Sequence, residues 1–600
     1  MHREHRSTQR SAGPLRHRRL FATGLALILA TGGGLTATTP PAAAAGQSVV
    51  VDLRSTHGSA AGVGSGFLYG LSEDGQSPED SLLAPLAPRS ARGGGARLDG
   101  GGWVGDGYTA GNGYTRRLNS ALGQARRITT PPYNGTFDLL VSDVWGADST
   151  QPADTVYPCT AGDCDNWRTF LRRLAADVKA SGLKVRYDIW NEPAGAFFPP
   201  GFNSAQYYDM WDTAVRELRA ADASAQIVGP SLWDFSPGNV GPFLDHANTH
   251  GTVPDIVNWH FSGTPVEDAT TMRQLLDSKG LGGRELSMNE YLHADEQNAG
   301  HSAWYLAQLA ESGIQSASHA IWSDCCASDT LDGILVRSGD RLRPTGQWWV
   351  YKAYADMAGS LARVDTQGDL DAVASVDTTG RRAAVLVGGR NDQTPGADLD
   401  LRGLTSGALS GGNGVTVTVQ RIPDQAPLEA PTVVSTQTVP AGTDSVRLPL
   451  TGTAAHDAFL VTAVPARTAS VTVDATVTSG PVHVTYGTGW GRTDGVPDLY
   501  DGTANWSYTP GSTAVVHATG RQIGLRAVRD SDQGRMRVSV DGAAPVTIDN
   551  YAATRTPSAT VWSSPDLPDG PHTVVITVSA DKNAASSGRN IALDAIAVQP

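Results

Sequence analysis

The chain has 600 residues, with 68 glycines, 35 prolines and four cysteines, and its formal net charge is −14. This length predicts about three domains, and 40% hydrophobic with 18% charged residues is typical of a folded chain. The negative charge argues against nucleic acid or an anionic membrane surface as a partner. The composition also excludes collagen, a coiled coil, a multi-span membrane protein and a disulfide-dense mini-domain. We therefore expect a large, acidic, soluble protein of several domains.

The first 45 residues have the pattern of a secretory signal peptide. Six arginines and one glutamate lie within the first 19 residues, and an apolar run extends from Leu20 to about Ala30. Small residues follow, with an A-x-A site that predicts cleavage after Ala44 or Ala45. The apolar run is too short for a membrane anchor, and the pair Arg18-Arg19 suggests the twin-arginine export route. We expect a secreted, extracellular protein.

Export makes the four cysteines candidates for disulfide bonds. Cys159 and Cys164 enclose a short polar loop, and Cys325 and Cys326 are adjacent. Four cysteines allow three pairings, and the sequence does not choose among them. No nearby histidine has the spacing of a metal site, so disulfides that staple loops are favoured, and neither a metal nor another cofactor is expected.

Residues 46–360 alternate short β-like runs with amphipathic helical runs. Apolar residues recur at three- and four-residue spacing in Trp167–Ala180, Ala205–Ala221, Thr270–Leu276 and Ser302–Ser312. The predicted strands are Gly64–Leu71, Ala96–Gly100, Phe137–Trp145, Lys184–Trp190, Gln226–Leu232, Ile256–Phe261, Glu285–Tyr291 and Ala317–Trp322. Eight strands with helices between them favour an α/β fold of the (β/α)8 barrel type. A doubly wound open sheet is the alternative, but no glycine-rich phosphate loop follows the first strand.

The helical pattern stops after a predicted helix at Gln347–Met357. Short alternating runs then predict a β-sandwich over residues 361–465, to which residues 46–60 can add an N-terminal strand. A second all-β unit is predicted over residues 466–600. The expected order is signal peptide, barrel, sandwich and a further β domain.

Two glutamates end the predicted fourth and seventh barrel strands. Asn191-Glu192-Pro193 follows Lys184–Trp190, and Glu290 lies 98 residues after Glu192, near the end of Glu285–Tyr291. Catalytic groups of barrel enzymes lie at the carboxyl ends of the strands, where strands four and seven are nearly opposite. Glycosidic cleavage requires two such carboxylates, because one protonates the leaving oxygen while the other attacks the anomeric carbon or activates water. The alternative for either glutamate alone is a structural ion pair.

This arrangement resembles the clan of retaining (β/α)8 glycoside hydrolases, which place an Asn-Glu pair on strand four and a glutamate on strand seven. The resemblance implies that Glu192 is the general acid/base, that Glu290 is the nucleophile and that Asn191 holds the hydroxyl next to the anomeric carbon. It also implies double displacement with retention, with carboxyl groups roughly 5–5.5 Å apart. The acid then needs a raised pKa, part of which the charge of the nucleophile supplies.

Other residues at the predicted strand ends are candidates for substrate binding. His260 ends strand six, where clan members often place a His or Tyr near the nucleophile, and its alternative is a buried core histidine. Trp322 ends strand eight, where clan members commonly stack an aromatic ring on the sugar, and its alternative is core packing. Tyr291 either donates to the nucleophile or faces the helices. Arg97, on strand two, would orient a glutamate, and Trp145 ends strand three.

Within the clan, the chain is most similar to glycoside hydrolase family 39, the β-xylosidase and α-L-iduronidase group. Those enzymes also carry a β-sandwich after the barrel, and the helix Gln347–Tyr354 that leads into it looks similar. The similarity covers residues 60–465 and is specific around the two glutamates and this helix. The surroundings of strands three and four differ from those of well-known xylosidases, which leaves the sugar open.

The last unit, residues 466–600, resembles the jelly-roll carbohydrate-binding modules appended to secreted hydrolases. By this resemblance exposed Trp and Tyr residues, among them Trp490, Trp506, Tyr508 and Trp562, would stack on sugar rings and tether the enzyme to a polymer. The alternative is a spacer domain whose aromatic residues belong to its core.

The sequence therefore predicts a secreted retaining glycoside hydrolase acting on a plant or microbial polysaccharide or oligosaccharide. One alternative is an endo-acting clan member of the mannanase or cellulase type, and another is a non-catalytic glycan-binding protein on the same barrel. The presence of both glutamates argues against the latter. The expected partner is a carbohydrate, with neither nucleic acid nor membrane, and no oligomeric state is predicted.

Overall fold

A computed structural model describes residues 47–94, 112–141, 157–195, 198–320, 329–390, 392, 394–409, 413–466, 470–568 and 570–599. The predicted signal peptide lies outside the described residues. The same is true of five candidate residues, namely Arg97, Trp145, Trp322, Cys325 and Cys326.

An N-terminal strand, β1 (Ser48–His57), precedes eight strands that close into a barrel. The barrel strands are β2 (Gly66–Leu68), β3 (Ser90–Gly93), β4 (Thr136–Leu140), β5 (Arg186–Asp188), β6 (Gln226–Leu232), β7 (Ile256–Trp259), β8 (Glu285–Tyr291) and β9 (Ser316–His319). Each strand pairs in parallel with the next, and β9 closes the ring on β2. The predicted (β/α)8 barrel is confirmed.

Helices lie between the barrel strands and after the last of them. They are α1 (Asp80–Leu83), α2 (Asn112–Thr129), α3 (Asp165–Ser181), α4 (Ala205–Ala221), α5 (Pro237–His250), α6 (Pro265–Ser278), α7 (Ala299–Ser312) and α8 (Gly346–Ala355). Helix α4 begins after Ser204, whose side chain accepts a hydrogen bond from the Tyr207 amide. Helix α3 ends at Gly182, whose φ of 71° is left-handed. No helix in the described part of the chain is long and apolar enough to cross a lipid bilayer.

The second barrel strand lies earlier than the sequence pattern indicated. The predicted segment Ala96–Gly100 lies outside the described residues, and its placement as the second barrel strand is wrong because Ser90–Gly93 occupies that position between β2 and β4. Each of the two segments contains a single arginine beside small residues, so residue pattern does not distinguish them. All four residues of β3 are buried, and Arg92 among them lies inside the barrel.

A nine-stranded sheet follows the barrel, after the hairpin β10 (Leu335–Ser338) and β11 (Arg341–Pro344). The hairpin is a separate two-stranded sheet. Eight strands of the nine-stranded sheet are β12 (Ser360–Gln367), β13 (Leu370–Asp377), β14 (Arg382–Gly389), β15 (Gly396–Arg402), β16 (Val415–Ile422), β17 (Thr432–Val439), β18 (Ser445–Thr451) and β19 (Ala458–Pro465). Strand β1 lies between β12 and β15 in this sheet. Its core includes Val51, Leu399 and Val461, all buried.

Helix α7 packs closely against this sheet. A Cβ at Gly388 of β14 would lie 2.1 Å from the Gly300 carbonyl oxygen of α7, so only glycine allows the approach. The Gly300 amide also donates to the His456 carbonyl at 2.7 Å. The barrel and the nine-stranded sheet are thereby joined through direct backbone contact.

Residues 470–599 form two facing antiparallel sheets, a further β-sandwich. One sheet has the order β22-β23-β30-β25-β28, with β20 paired to β30, and the other has the order β21-β24-β29-β26-β27. The strands are β20 (Val471–Asp474), β21 (His483–Tyr486), β22 (Gly491–Thr493), β23 (Ala504–Ser507), β24 (Thr513–Thr519), β25 (Gln522–Arg529), β26 (Arg535–Val540), β27 (Val546–Asp549), β28 (Thr556–Ser563), β29 (Pro571–Val578) and β30 (Ile591–Gln599). Leu525 and Ile596 of one sheet and Val516 and Ile576 of the other share one core.

Candidate active site

The two predicted catalytic glutamates meet inside the barrel. Glu192 follows β5, the fourth barrel strand, and Glu290 lies in β8, the seventh. One oxygen of each carboxyl group and one ring nitrogen of His260 lie within 4.8 Å of one another. His260 Nδ1 is 2.9 Å from Glu192 Oε1 and 3.6 Å from Glu290 Oε1. Both glutamates are 4% exposed, so the pair is almost fully withdrawn from water.

The backbone around Glu192 fixes the direction of its side chain. Glu192 has a φ of 47°, which is left-handed and uncommon for any residue other than glycine. Its amide donates to the Ser231 carbonyl at 2.9 Å, which ties the turn to the neighbouring strand β6. On the far side of the site the Phe261 amide donates to the Glu290 carbonyl at 2.9 Å. A backbone hydrogen bond to a neighbouring segment therefore fixes the main chain of each glutamate.

Arg92 is the functional residue that sequence analysis missed. Its guanidinium is fully buried and donates hydrogen bonds to Glu290, to Asp188 at 2.8 Å and to the side-chain oxygen of Asn191 at 2.8 Å. The sequence assigned the orientation of a glutamate to Arg97, which lies outside the described residues, and Arg92 makes that contact in the structure. Asn191 is accordingly bonded to Arg92 beside the carboxyl pair.

A polar network behind Arg92 crosses four strands. Asp188 on β5 accepts from the Ser231 hydroxyl at 2.5 Å and from the Asn289 amide at 2.8 Å. Asn258 on β7 donates to Asn289 on β8 at 2.7 Å and to Ser231 on β6 at 2.8 Å. Buried polar groups are costly unless they are paired, and here each side chain is hydrogen-bonded to another member of the network. The network locks the arginine in the position from which it contacts Glu290.

The charges around the two glutamates favour a different protonation state for each of them. Burial and the nearby charge of Glu290 raise the pKa of Glu192 to about 9, and Arg92 opposes this only from a distance. Burial also raises the pKa of Glu290, but there Arg92 opposes it by direct contact. Burial and Arg92 lower the pKa of His260 well below its usual value, so its imidazole is neutral. The arrangement favours a proton on Glu192 and a negative charge on Glu290.

Tyr291 faces the helices rather than the carboxyl group of Glu290. Its hydroxyl donates to the Gly64 carbonyl at 2.6 Å and lies 2.7 Å from the Tyr351 hydroxyl of α8. Its ring is also stacked on that of Tyr305 of α7, with centroids 5.1 Å apart, so the side chain lies among the helices. Of the two alternatives left open by the sequence, the substrate-binding one is wrong for Tyr291.

A cluster of three aromatic rings, of which only that of Trp233 is exposed, lies just beyond the carboxyl ends of β6, β7 and β8. Trp233 follows β6 and is 46% exposed, with its ring centroid 5.2 Å from that of Phe261 and 6.0 Å from that of His293. The Phe261 and His293 rings are stacked at 3.9 Å. Trp233 was not among the residues selected from the sequence. Its position directly after the predicted fifth strand would have indicated a place at the carboxyl end of the barrel.

The remaining predicted residues fall in two other places. Cys159 and Cys164 form a disulfide bond beside α3. In the last β-sandwich, Trp490 and Trp562 are half-buried and pack against the core between the two sheets. Trp506 instead packs on a separate small apolar cluster.

Two groups of side chains among the described residues have the composition of metal ligands. One is the group of Glu192, His260 and Glu290, where Arg92 already supplies a positive charge to Glu290, so that a cation would meet repulsion. The other is Asp212, His246 and His250, where the carboxylate of Asp212 contacts Arg216 at 3.2 Å. Neither arrangement favours a metal over the contacts that it already makes.

Two curated proteins to which this chain is similar are named as glycosidases. No protein-family model matches the chain. It is 25% identical over 427 residues to a 3-O-α-D-galactosyl-α-L-arabinofuranosidase of Bifidobacterium longum subsp. longum, covering 62% of this chain and 36% of that protein. It is 24% identical over 179 residues to a 3-O-β-L-arabinopyranosyl-α-L-arabinofuranosidase of Bifidobacterium pseudocatenulatum, covering 28% and 18%. The chain thus spans little more than a third of the length of the first relative and less of the second.

A solved structure shares the fold. The protein N2152 from Neocallimastix frontalis superposes with a TM-score of 0.59 at 23% identity, over 70% of this chain and 100% of that chain. The chain is therefore a (β/α)8-barrel protein with an attached β-sandwich. The resemblance to glycoside hydrolases drawn from the two glutamates is confirmed, since both curated relatives are named as glycosidases.

Proposed function

We propose that the chain is an O-glycosyl hydrolase that cleaves by double displacement with retention, with Glu192 as acid/base and Glu290 as nucleophile. The observation that carries the proposal is the buried carboxyl pair, with oxygens within 4.8 Å and Arg92 bonded to one member only. Carboxyl groups of retaining enzymes are about 5–5.5 Å apart, whereas inverting enzymes need about 6.5–9.5 Å to admit a water. The spacing therefore supports retention.

In the first step a Glu290 oxygen attacks the anomeric carbon while the bond from that carbon to the leaving oxygen breaks. Glu192 gives its proton to the leaving oxygen, which departs as an alcohol. The raised pKa of Glu192 keeps this proton available at neutral pH. Arg92 holds the Glu290 carboxylate in its attacking position through a direct hydrogen bond.

In the second step Glu192 acts as a base. Once Glu290 is esterified to the sugar, its negative charge is gone and one cause of the raised pKa of Glu192 disappears. The Glu192 carboxylate then takes a proton from water, whose oxygen attacks the anomeric carbon and releases Glu290. Two inversions at that carbon give net retention. His260, bonded to Glu192 at 2.9 Å, positions the same side chain for both steps.

We propose arabinofuranosyl-bearing glycans of plant or microbial origin as the substrate class. The two curated relatives are both named for cleaving substituted α-L-arabinofuranosides, although each matches over a limited part of its length. The basic and apolar N-terminal residues support action outside the cell after export. The exposed Trp233 offers a flat surface for a sugar ring beyond the carboxyl pair.

Digestion of arabinogalactan and of arabinoxylan tests this proposal, with released sugars identified by mass spectrometry and NMR. The parent chain should release arabinose or short arabinose-containing sugars from one of the polymers. The Glu290→Gln variant should lose roughly a thousandfold or more of this rate. Release of other sugars only, or equal release by Glu290→Gln, would contradict the proposal.

A further inference from the structure

The last β-sandwich carries a cavity on the outer face of one of its sheets. Its volume is about 610 Å³, and its floor comes from β23, β25 and β30. On β30, Ile591 and Leu593 point into the core between the sheets, whereas Ala592 points the other way. Ala592 joins Leu499, Ala504 and Val528 in a separate apolar cluster. The floor is thus an apolar patch on a face that does not line the sandwich core.

Two aromatic rings form one wall of this cavity. Trp506 and Tyr508 occupy alternate positions, with ring centroids 5.7 Å apart and planes 18° from parallel. Tyr508 is 63% exposed. A Cβ at Gly491 would lie 2.8 Å from the Trp506 ring, so the absence of a side chain there lets the ring lie against β22. The Trp506 ring therefore packs on the backbone of β22, whereas the neighbouring Tyr508 ring faces solvent.

The opposite rim is polar and carries both signs of charge. Arg555 donates to Asp498 at 3.1 Å and to Asp530 at 3.3 Å, which fixes its guanidinium at the edge of the cavity. Gln533 and Asn590 line the same cavity, and within the described part of the chain their side-chain oxygens have no hydrogen-bond partner. Buried acceptors without partners are uncommon in native proteins. Ligand hydroxyl groups are the donors that such acceptors lack.

We propose that this cavity binds a sugar unit of a glycan chain, separately from the hydrolytic site. The near-parallel rings match the apolar face of a sugar ring, and the opposite rim supplies acceptors and a fixed guanidinium for its hydroxyl groups. The volume lies within the range of about 300–1,000 Å³ that is usual for small-ligand sites. Because two aspartates and two arginines line the cavity, their charges balance and the site suits a neutral ligand better than an anion.

This site refines the sequence prediction of a glycan-binding module. Of the three tryptophans selected there, Trp506 lines the cavity, whereas Trp490 and Trp562 pack against the core. Tyr508 is the second aromatic residue that lines the cavity. A glycan held here raises the local concentration of the same polymer around the whole chain.

Affinity gel electrophoresis of the full chain tests the site, with arabinogalactan, arabinoxylan or xyloglucan cast into native gels. Every chain carries Glu290→Gln so that the probe stays intact. Trp506→Ala and Tyr508→Ala should each raise the dissociation constant at least about tenfold for a polysaccharide that retards the parent. The matched control is Val546→Ala, which alters a 53% exposed apolar residue on the other sheet and should leave retardation unchanged.

Two results would overturn the site. Either no polysaccharide retards the parent, or Tyr508→Ala is retarded as strongly as the parent, which would place binding elsewhere. Because Tyr508 is largely exposed, its removal should leave the thermal unfolding temperature unchanged, which separates lost binding from lost folding. With Glu290 restored, Tyr508→Ala should hydrolyse a soluble oligosaccharide at the parent rate. Failure of this site is thereby distinguished from failure of the proposed hydrolysis.

Discussion

The guanidinium of Arg92 is bonded to the carboxylate of Glu290 inside the barrel, where the two side chains are 0% and 5% exposed. Glu192, the other member of the pair, is bonded instead to the neutral imidazole of His260. The first contact gives its carboxylate a positively charged partner, and the second does not. This asymmetry supplies the physical basis for assigning the nucleophile and the acid to two otherwise similar glutamates.

Replacement of the buried arginine should cost both stability and activity. Arg92→Met leaves Asp188 and Glu290 without their positive partner, and breaking a buried ion pair costs about 3–5 kcal/mol. We expect the free energy of unfolding in urea to fall by that amount and hydrolysis to be lost. Arg92→Lys should recover part of the stability but little of the turnover, because one ammonium group does not reproduce three directed contacts.

The control for this prediction is an arginine on the surface. Arg172 of α3 pairs with Glu217 of α4 and is 65% exposed, so Arg172→Met should change neither unfolding nor hydrolysis appreciably. Equal urea midpoints for Arg92→Met and the parent would show that the buried network does not hold the site together.

The raised pKa of Glu192 predicts a dependence of stability on pH. A carboxyl group whose pKa is 4.5 in the unfolded chain and about 9 in the folded chain contributes stability below the lower value and loses it as the pH rises through the higher one. Because a glutamine side chain does not titrate in this range, Glu192→Gln removes this pH-dependent loss of stability. The melting temperature of the variant relative to the parent should therefore increase between pH 5 and pH 9, by about 1 °C per kcal/mol relieved in a chain of this length.

An exposed glutamate provides the comparison for that titration. Glu79→Gln alters a solvent-exposed carboxyl group beside α1, and its melting temperature should follow the parent across the whole pH range. If the difference between Glu192→Gln and the parent is constant from pH 5 to pH 9, Glu192 is not protonated in the folded state.

The aromatic cluster beyond the strand ends should contribute to substrate binding. Because Trp233 is 46% exposed, Trp233→Ala should leave the melting temperature almost unchanged. We expect KM for the polysaccharide hydrolysed by the parent to rise about tenfold, equivalent to ~1.4 kcal/mol, with a smaller change in kcat. Trp233→Tyr keeps a flat ring and should retain most of the affinity. An unchanged KM for Trp233→Ala would exclude this residue from the binding surface.

The positions of the two glutamates followed from the sequence because each lies at the end of a short β-like run between helical segments. Strand periodicity marks such runs, and the barrel fold then brings the ends of strands four and seven to the same mouth. The Asn-Glu motif added a specific signal at Asn191. Hence the barrel and its carboxyl pair were predictable without coordinates.

Arg92 and its network were not predictable by the same reasoning. β3 has four residues, and its buried arginine breaks the apolar pattern that identifies a core strand. Burial of Arg92 is tolerable only because Asp188, 96 residues away along the chain, and Glu290 neutralise it. Contacts of this range have no local signature in a single sequence.

Azide rescue of two alanine variants tests the division of labour between Glu192 and Glu290 most directly. An aryl glycoside of the released sugar, with an activated leaving group, serves as substrate, and NMR reports the configuration of the glycosyl azide product. Glu192→Ala should give an azide of retained configuration, because azide attacks the glycosyl enzyme. Glu290→Ala should give an inverted azide, because azide then replaces the nucleophile. The reverse pattern, or turnover near that of the parent in both variants without azide, would contradict the assignment.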